Sequence, residues 1–299
     1  MDGGRVRIVD VPGARLHTEC VGEGPALVLI AGGGGDAGIF ADAVAMLGRD
    51  RTVMTFDRRG NSRSPFTGAG GAIDVTTQAS DVVAILDAYG VERAEVFGSS
   101  GGAIIVLELL TRYPDRVHAA VVHEPPLVQL LEPDDPARQE IERIGELAVR
   151  HPMRAFAAFG VMTAPQLPRL FRSSIGQVVL AAGARAGLAA GSVVRRVTGR
   201  APSVMTRMLG NIDLLLRREL PCFCFDYRPD LDAVRAAAVP WRLAVGRDSV
   251  GRPYYAATEK LSREVGAICS VFPGGHTGYQ THATEFTARL VEVFGELDS

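Results

Sequence analysis

Residues 94–110, AEVFGSSGGAIIVLELL, form a short apolar run that passes through Gly-Ser-Ser-Gly-Gly and continues into a second apolar run of helical length. Gly98, Ser100 and Gly102 fill the pattern G-x-S-x-G, and strand, tight turn, helix is the context that this pattern requires. The glycines stand where a sharp strand-to-helix turn needs residues without a Cβ. Such a turn lifts the Ser100 hydroxyl out at the carboxyl end of a sheet. It also aims the first free N–H groups of the helix at whatever Ser100 attacks, so that a developing oxyanion meets donors and the positive end of a helix dipole. Ser100 is therefore a candidate nucleophile. The competing reading is a glycine-rich turn between a buried strand and a helix, with no chemistry of its own.

Working outward, residues 26–30, 52–56 and 117–122 are apolar runs of the kind expected of strands covered on both faces. Residues 6–9 and 16–21 alternate, as an antiparallel edge pair would, around the turn residues Pro12 and Gly13. Helical spacing is found at 39–47, at 75–89 with its stop at Gly90, and at 101–113, where Pro114 breaks the pattern. The alternation returns at 241–245, 253–265, 267–272 and 284–294. This order predicts an α/β fold with a doubly wound, mostly parallel sheet and reactive groups gathered at the strand carboxyl ends.

Three loops at such ends carry candidate chemistry. The run after 26–30, Gly32-Gly33-Gly34-Gly35-Asp36, lets backbone N–H groups approach a ligand closely. The run Asp57-Arg58-Arg59-Gly60-Asn61-Ser62-Arg63-Ser64 reads as a structural turn network. His276, in Pro273-Gly274-Gly275-His276, lies in a flexible turn after a short strand, where its imidazole can reach over the sheet edge towards Ser100. Between 126 and 230 the chain turns helical, broken by Pro and Gly and dotted with Met153, Phe156, Phe159, Met162, Phe171, Met205 and Met208. It reads as an inserted cap, dividing the chain into a core at 1–125, a cap at 126–230 and the rest of the core at 231–299.

Composition limits the partners. A formal charge of −2 without Lys/Arg runs leaves no footprint for nucleic acid or an anionic membrane, which favours a small-molecule substrate. No apolar run reaches bilayer length and the N-terminus, MDGGRVRIVD, has no apolar signal region, so the expected location is cytoplasmic. Cys20, Cys222, Cys224 and Cys269 match no zinc spacing, and Cys222 and Cys224 alternate as on an extended segment; free thiols, no metal and no cofactor are expected. Oligomeric state is left open.

Taken together, the glycine-rich loop, D-R-R-G-x-S-R-S, the G-x-S-x-G elbow, the helical insertion, Gly246-Arg247-Asp248 and P-G-G-H resemble a capped α/β-hydrolase over about 25–125 and 240–294. The resemblance implies that His276 is the general base and acid. It also implies oxyanion donors at the N–H of Gly101 and of one residue in the 32–34 loop, Gly33 above its neighbours Gly32 and Gly34. The acid departs from the commonest pattern, because the position three after Gly246 holds Ser249 and Asp248 stands one residue early. Some relatives, haloalkane dehalogenases and lactonases acting on zearalenone among them, place the acid after the strand that follows the elbow, which here is Glu124; Asp248 is the runner-up. The resemblance then implies a serine hydrolase of an ester or lactone with a mostly apolar substrate; the Met and Phe residues of the insertion, Phe156 and Phe159 among them, are expected to line its pocket, together with Gly32 and Gly34. A C–C bond hydrolase of the meta-cleavage type and a non-catalytic ligand-binding protein are the alternatives. Dehalogenase and epoxide hydrolase chemistry would need an aspartate where Ser100 stands.

Overall fold

The structure, a computed structural model, describes residues 4–68, 71–163, 169–199 and 201–298. Eight strands form one sheet: β1 (Arg5–Val11), β2 (Ala14–Val21), β3 (Ala26–Ile30), β4 (Thr52–Phe56), β5 (Ala94–Ser99), β6 (Val117–His123), β7 (Trp241–Gly246) and β8 (Cys269–Phe272), in the order β1-β2-β4-β3-β5-β6-β7-β8. The first two strands are antiparallel to their neighbours and all other pairings are parallel. The apolar runs at 26–30, 52–56 and 117–122 are the inner strands of this sheet. Their side chains are covered on both faces, which is why they do not alternate.

Helices α1 (Ala41–Leu47), α2 (Val75–Tyr89) and α3 (Gly101–Arg112) follow β3, β4 and β5. Asp74 caps α2 by accepting the Thr77 N–H, and Gly90 ends it at φ 69°, a conformation that favours glycine. The chain after β6 enters a helical insertion: α4 (Pro136–Arg150), α5 (Pro152–Thr163), α6 (Ser174–Thr198), α7 (Val204–Gly210) and α8 (Ile212–Leu214). The core resumes through α9 (Leu231–Arg235), α10 (Pro253–Val265), α11 (Gly278–Thr281) and α12 (Ala283–Leu297). Two apolar cores flank the sheet, one built around α2 and α3 and one around α1 and α12, while a third gathers the insertion's helices with Tyr254 and Ala257 of α10.

One sequence expectation is corrected in the insertion. Cys222 and Cys224 do not lie on an extended segment. After α8 the helix continues through two widened turns, Leu215–Glu219 and Cys222–Asp226, closed by i→i+5 hydrogen bonds such as Tyr227 N–H to Cys222 O at 2.9 Å. A period-two reading of Cys-Phe-Cys-Phe spans too few residues to separate strand from helix.

Topology positions the site. The chain runs from β3 out to β4 and back across β3 to β5, so the carboxyl ends of β3 and β5 lie side by side where the winding reverses. Ile30 pairs with Gly98, Ser99 with His123, and His123 with Ala244. The glycine loop, Ser100 and Glu124 thus leave the sheet at neighbouring points on one edge.

The elbow glycines are required by space. A Cβ on Gly102 would stand 2.1 Å from Ile30 O, and one on Gly98 would stand 2.3 Å from Gly102 O. Both obstacles are backbone. Gly98→Ala and Gly102→Ala are each expected to destabilise the fold by roughly 2 kcal/mol or more, since backbone must shift to admit the methyl group. Gly160→Ala in α5, with nothing within 4 Å of the added atom, is expected to stabilise it by roughly 0.5–1 kcal/mol. Denaturant midpoints of the three variants check both directions; equal midpoints would refute the steric account of the elbow.

Candidate active site

Ser100 sits between β5 and α3 at φ 56° and ψ −122°, a strained conformation for a residue with a Cβ. It is held there by its N–H donating to His123 O at 2.8 Å and by its carbonyl accepting the Ala103 N–H at 2.9 Å. No side chain caps α3, so the first turn of that helix keeps its free donors. The glycine loop after β3 lies directly against the serine: a Cβ on Gly32 would stand 2.7 Å from Ser100 Cβ. Among the described residues, neither the Gly33 N–H nor the Gly101 N–H has a hydrogen-bond partner. Both residues line one cavity together with Ser100 and His276.

His276 Nδ1 stands 2.6 Å from Glu124 Oε2, and Glu124 Oε1 accepts the Gly246 N–H at 2.7 Å. Glu124 is fully buried and takes φ 49°, unusual for a side chain of its size. Burial drives its carboxyl upward, but the neighbouring His123 and the His276 hydrogen bond outweigh this and hold it below its ordinary value. The carboxylate is therefore charged at neutral pH and accepts from the ring. Tyr254 of α10 stacks on the other side of His276 with ring centroids 3.9 Å apart, and burial pushes its phenol well above the usual range, so it stays neutral beside the imidazole. Asp248 lies elsewhere: it is half exposed, with its carboxylate 3.7 Å from Arg247 Nε, and does not touch His276.

Residues 25–155 match the family model for the alpha/beta hydrolase fold. The chain has the α/β-hydrolase fold. Over 289 residues, 95% of the chain and 94% of the relative, it is 29% identical to an uncharacterized hydrolase, YraK, of Bacillus subtilis. It is 36% identical over 138 residues to a zearalenone hydrolase of Bionectria ochroleuca, a match spanning 45% of this chain and 52% of that relative's length. The crystal structure of the enol-lactonase from Burkholderia xenovorans LB400 superposes with a TM-score of 0.67 at 19% identity, covering 97% of this chain and 100% of that one.

The structure divides the aromatic residues singled out in the sequence. Phe159 and Met162 of α5 line the cavity over Ser100. Phe156, expected beside them, is not among the residues lining that cavity; like Phe159 it packs against the insertion's own core, one turn earlier on the same stripe of α5. Met208 covers Gly34, whose Cβ would stand 3.2 Å from its methyl carbon, and Met205 is exposed. Asp57 is the structural hub expected of it. It accepts the Ala37 N–H at 2.8 Å, the Arg63 N–H at 3.0 Å and Arg63 Nε at 2.7 Å.

Three residues at the site escaped the sequence reading. Arg58 leaves the turn network to line the cavity, where it meets Glu219 of the insertion, and Tyr254 arrives from α10. The only signal for Arg58 was its place at the end of β4. Glu219 and Tyr254 lie on helices that carry no motif.

His123 predicts a pH dependence of folding. Its ring is fully buried among Phe97, Phe272, Tyr279 and Phe286, with Nδ1 3.0 Å from Ser99 Oγ. Burial pushes it down to about 4 from an ordinary value of 6.5. Between those values the unfolded chain binds a proton that the folded protein refuses, so stability is lost as pH falls through that window. The loss from pH 7 to pH 5 amounts to about 2 kcal/mol from this residue. The lowered Glu124 carboxyl adds a loss in the same direction below about 4.5. Denaturant unfolding at pH 7 and pH 5 should show that His123→Gln removes most of the difference; an undiminished difference would assign it to other groups.

Proposed function

We propose that this protein, built on the α/β-hydrolase fold, is a hydrolase that cleaves an ester or lactone of a mostly apolar small molecule through an acyl-enzyme on Ser100. The observation that carries the reading is the arrangement at one cavity: a strained serine at the end of β5, an imidazole held by a buried carboxylate, and two unpartnered N–H groups. In the proposed sequence, Ser100 Oγ attacks the acyl carbon as His276 Nε2 takes its proton. The oxyanion forms between the N–H groups of Gly33 and Gly101, the two unpartnered donors of the cavity. His276 then gives the proton to the leaving oxygen, which in a lactone stays attached to the acyl group. Water attacks the acyl-enzyme by the same route in reverse. Glu124 fixes the Nδ1–H tautomer of His276 and stabilises the imidazolium that forms twice in each cycle.

The substrate class follows from the lining. Phe159, Met162, Leu215, Leu220 and Phe223 make the wall over Ser100 apolar, which suits an acyl chain or ring without charge. The helices from 126 to about 230 act as the cap that supplies this wall. The stretch shared with the zearalenone hydrolase supports a lactone as a substrate type.

Glu124→Gln tests the assignment of the acid. The amide keeps the shape but disfavours the working tautomer, and kcat is expected to fall by a factor that in serine proteases reaches about ten thousand. Asp248→Asn, at a half-exposed position away from the ring, is expected to leave kcat within about threefold. Both are measured on a panel of p-nitrophenyl esters and simple lactones. A severe loss in Asp248→Asn beside a mild one in Glu124→Gln would overturn the assignment, and turnover retained in Ser100→Ala would remove the acyl-enzyme altogether.

A further inference from the structure

Arg58 makes contacts that the hydrolytic steps above leave unused. Its side chain is almost wholly buried, and its Nη1 and Nη2 each donate at 2.8 Å to one oxygen of Glu219, which is equally buried. Nη1 also donates to Gln78 Oε1 at 2.7 Å, and Asn61 Nδ2 donates to Glu219 Oε1 at 3.0 Å. The remaining Nη2 proton goes to the carbonyl oxygen of Gly32 at 2.8 Å, an oxygen that also accepts the Gly35 N–H at 3.0 Å. Two charges taken out of water stabilise a fold little more than apolar packing of the same volume would. What this pair does that apolar packing cannot is grip a carbonyl.

That carbonyl belongs to the peptide whose N–H is Gly33. The Gly32–Gly33 peptide is trans, so its C=O and N–H lie in one plane and point in opposite directions. Fixing the oxygen fixes the line along which the Gly33 N–H points. A cation on the oxygen also draws electron density through the conjugated amide, making the N–H a stronger donor, as happens along chains of hydrogen bonds at low dielectric. Gly33, Arg58 and Ser100 line the same cavity.

We propose that Arg58 is a positioning residue for the hydrolysis: clamped by Glu219 of the insertion, it orients and polarises the Gly32–Gly33 peptide so that the Gly33 N–H faces the oxyanion formed at Ser100. This rests on the reading of Ser100 as the nucleophile. It places one end of the oxyanion hole under the control of the helical insertion, 161 residues away in sequence.

The test uses two variants. Arg58→Lys keeps the charge but, as a point donor, cannot hold Glu219 with two bonds and Gly32 O with a third. Arg58→Met combined with Glu219→Met removes both charges, so neither is left buried and unpaired. Each is compared with wild type for kcat and KM on p-nitrophenyl butyrate. Affinity is measured for a trifluoromethyl ketone, which forms an oxyanion on the serine, and for the matching carbinol, which does not. In both variants kcat is expected to fall roughly tenfold or more with KM within about twofold, ketone affinity to fall in the same ratio and carbinol affinity to hold. An unchanged kcat, or an equal loss of ketone and carbinol affinity, overturns the proposal and leaves the pair as a packing element. If Arg58→Lys does not fold, the charge-free double variant carries the same readouts. Wild-type turnover abolished by Ser100→Ala is the control: its failure sinks the nucleophile assignment rather than the role of Arg58.

Discussion

The two oxygens of one buried carboxylate hold the site together. Glu124 Oε1 takes the Gly246 N–H at the end of β7 and Oε2 takes His276 Nδ1 from the loop after β8, so a single side chain at the end of β6 ties three strand ends. A buried carboxylate tolerates this position only because both oxygens are satisfied, and satisfying them fixes the imidazole. The backbone yields to the arrangement. Glu124 and Ser100, each the first residue after one of two adjacent strands, both take positive φ. Gly246 is a glycine because a Cβ there would stand 2.8 Å from Gly274 O, inside the loop that carries His276. Strain concentrated at two neighbouring strand ends is the pattern expected where chemistry outranks local comfort.

A second layer of charge joins the insertion to this edge. Asp36, at the end of the glycine loop, is buried and held by Arg207 Nε at 2.7 Å and Nη2 at 2.8 Å, with Ser62 Oγ at 2.7 Å. Burial raises its carboxyl, and Arg207, Ser62 and the Gly38 N–H together bring it below its ordinary value. Asn211 completes the seam by donating to Gly34 O at 2.7 Å and to Ser62 Oγ at 2.9 Å. The helices over the serine are thus anchored through polar bonds to the loops that define the cavity, while their apolar faces form its wall. Position comes from the polar bonds; the wall's chemistry comes from Phe159, Met162 and Phe223.

Much of this was legible in the chain. Inner parallel strands are apolar on both faces, so 26–30, 52–56 and 117–122 declare themselves, and the elbow is marked by glycines that sterics demand. His276 and Glu124 stood at strand ends, where a parallel sheet gathers its chemistry. Contacts made across long separations were not legible. Nothing local to Arg58 or Glu219 announces a partner 161 residues off. The stacking of Tyr254 on His276 depends on where α10 packs. Phe156 and Phe159 looked alike because helical spacing gives a stripe without saying which edge of it faces a cavity. The widened turns at Leu215–Glu219 and Cys222–Asp226, which carry Leu215, Glu219, Phe223 and Cys224 to the cavity, have no sequence signature at all.

The account stands on Ser100 being an activated nucleophile rather than a serine caught in a tight turn. Its most direct measurement is the rate of covalent labelling by a fluorophosphonate, followed by intact mass and peptide mapping across pH. An activated serine takes up one equivalent at Ser100, at a rate that rises with pH as one imidazole loses its proton and that collapses in His276→Ala. Labelling no faster than that of an ordinary exposed serine, or equally fast without His276, would contradict it.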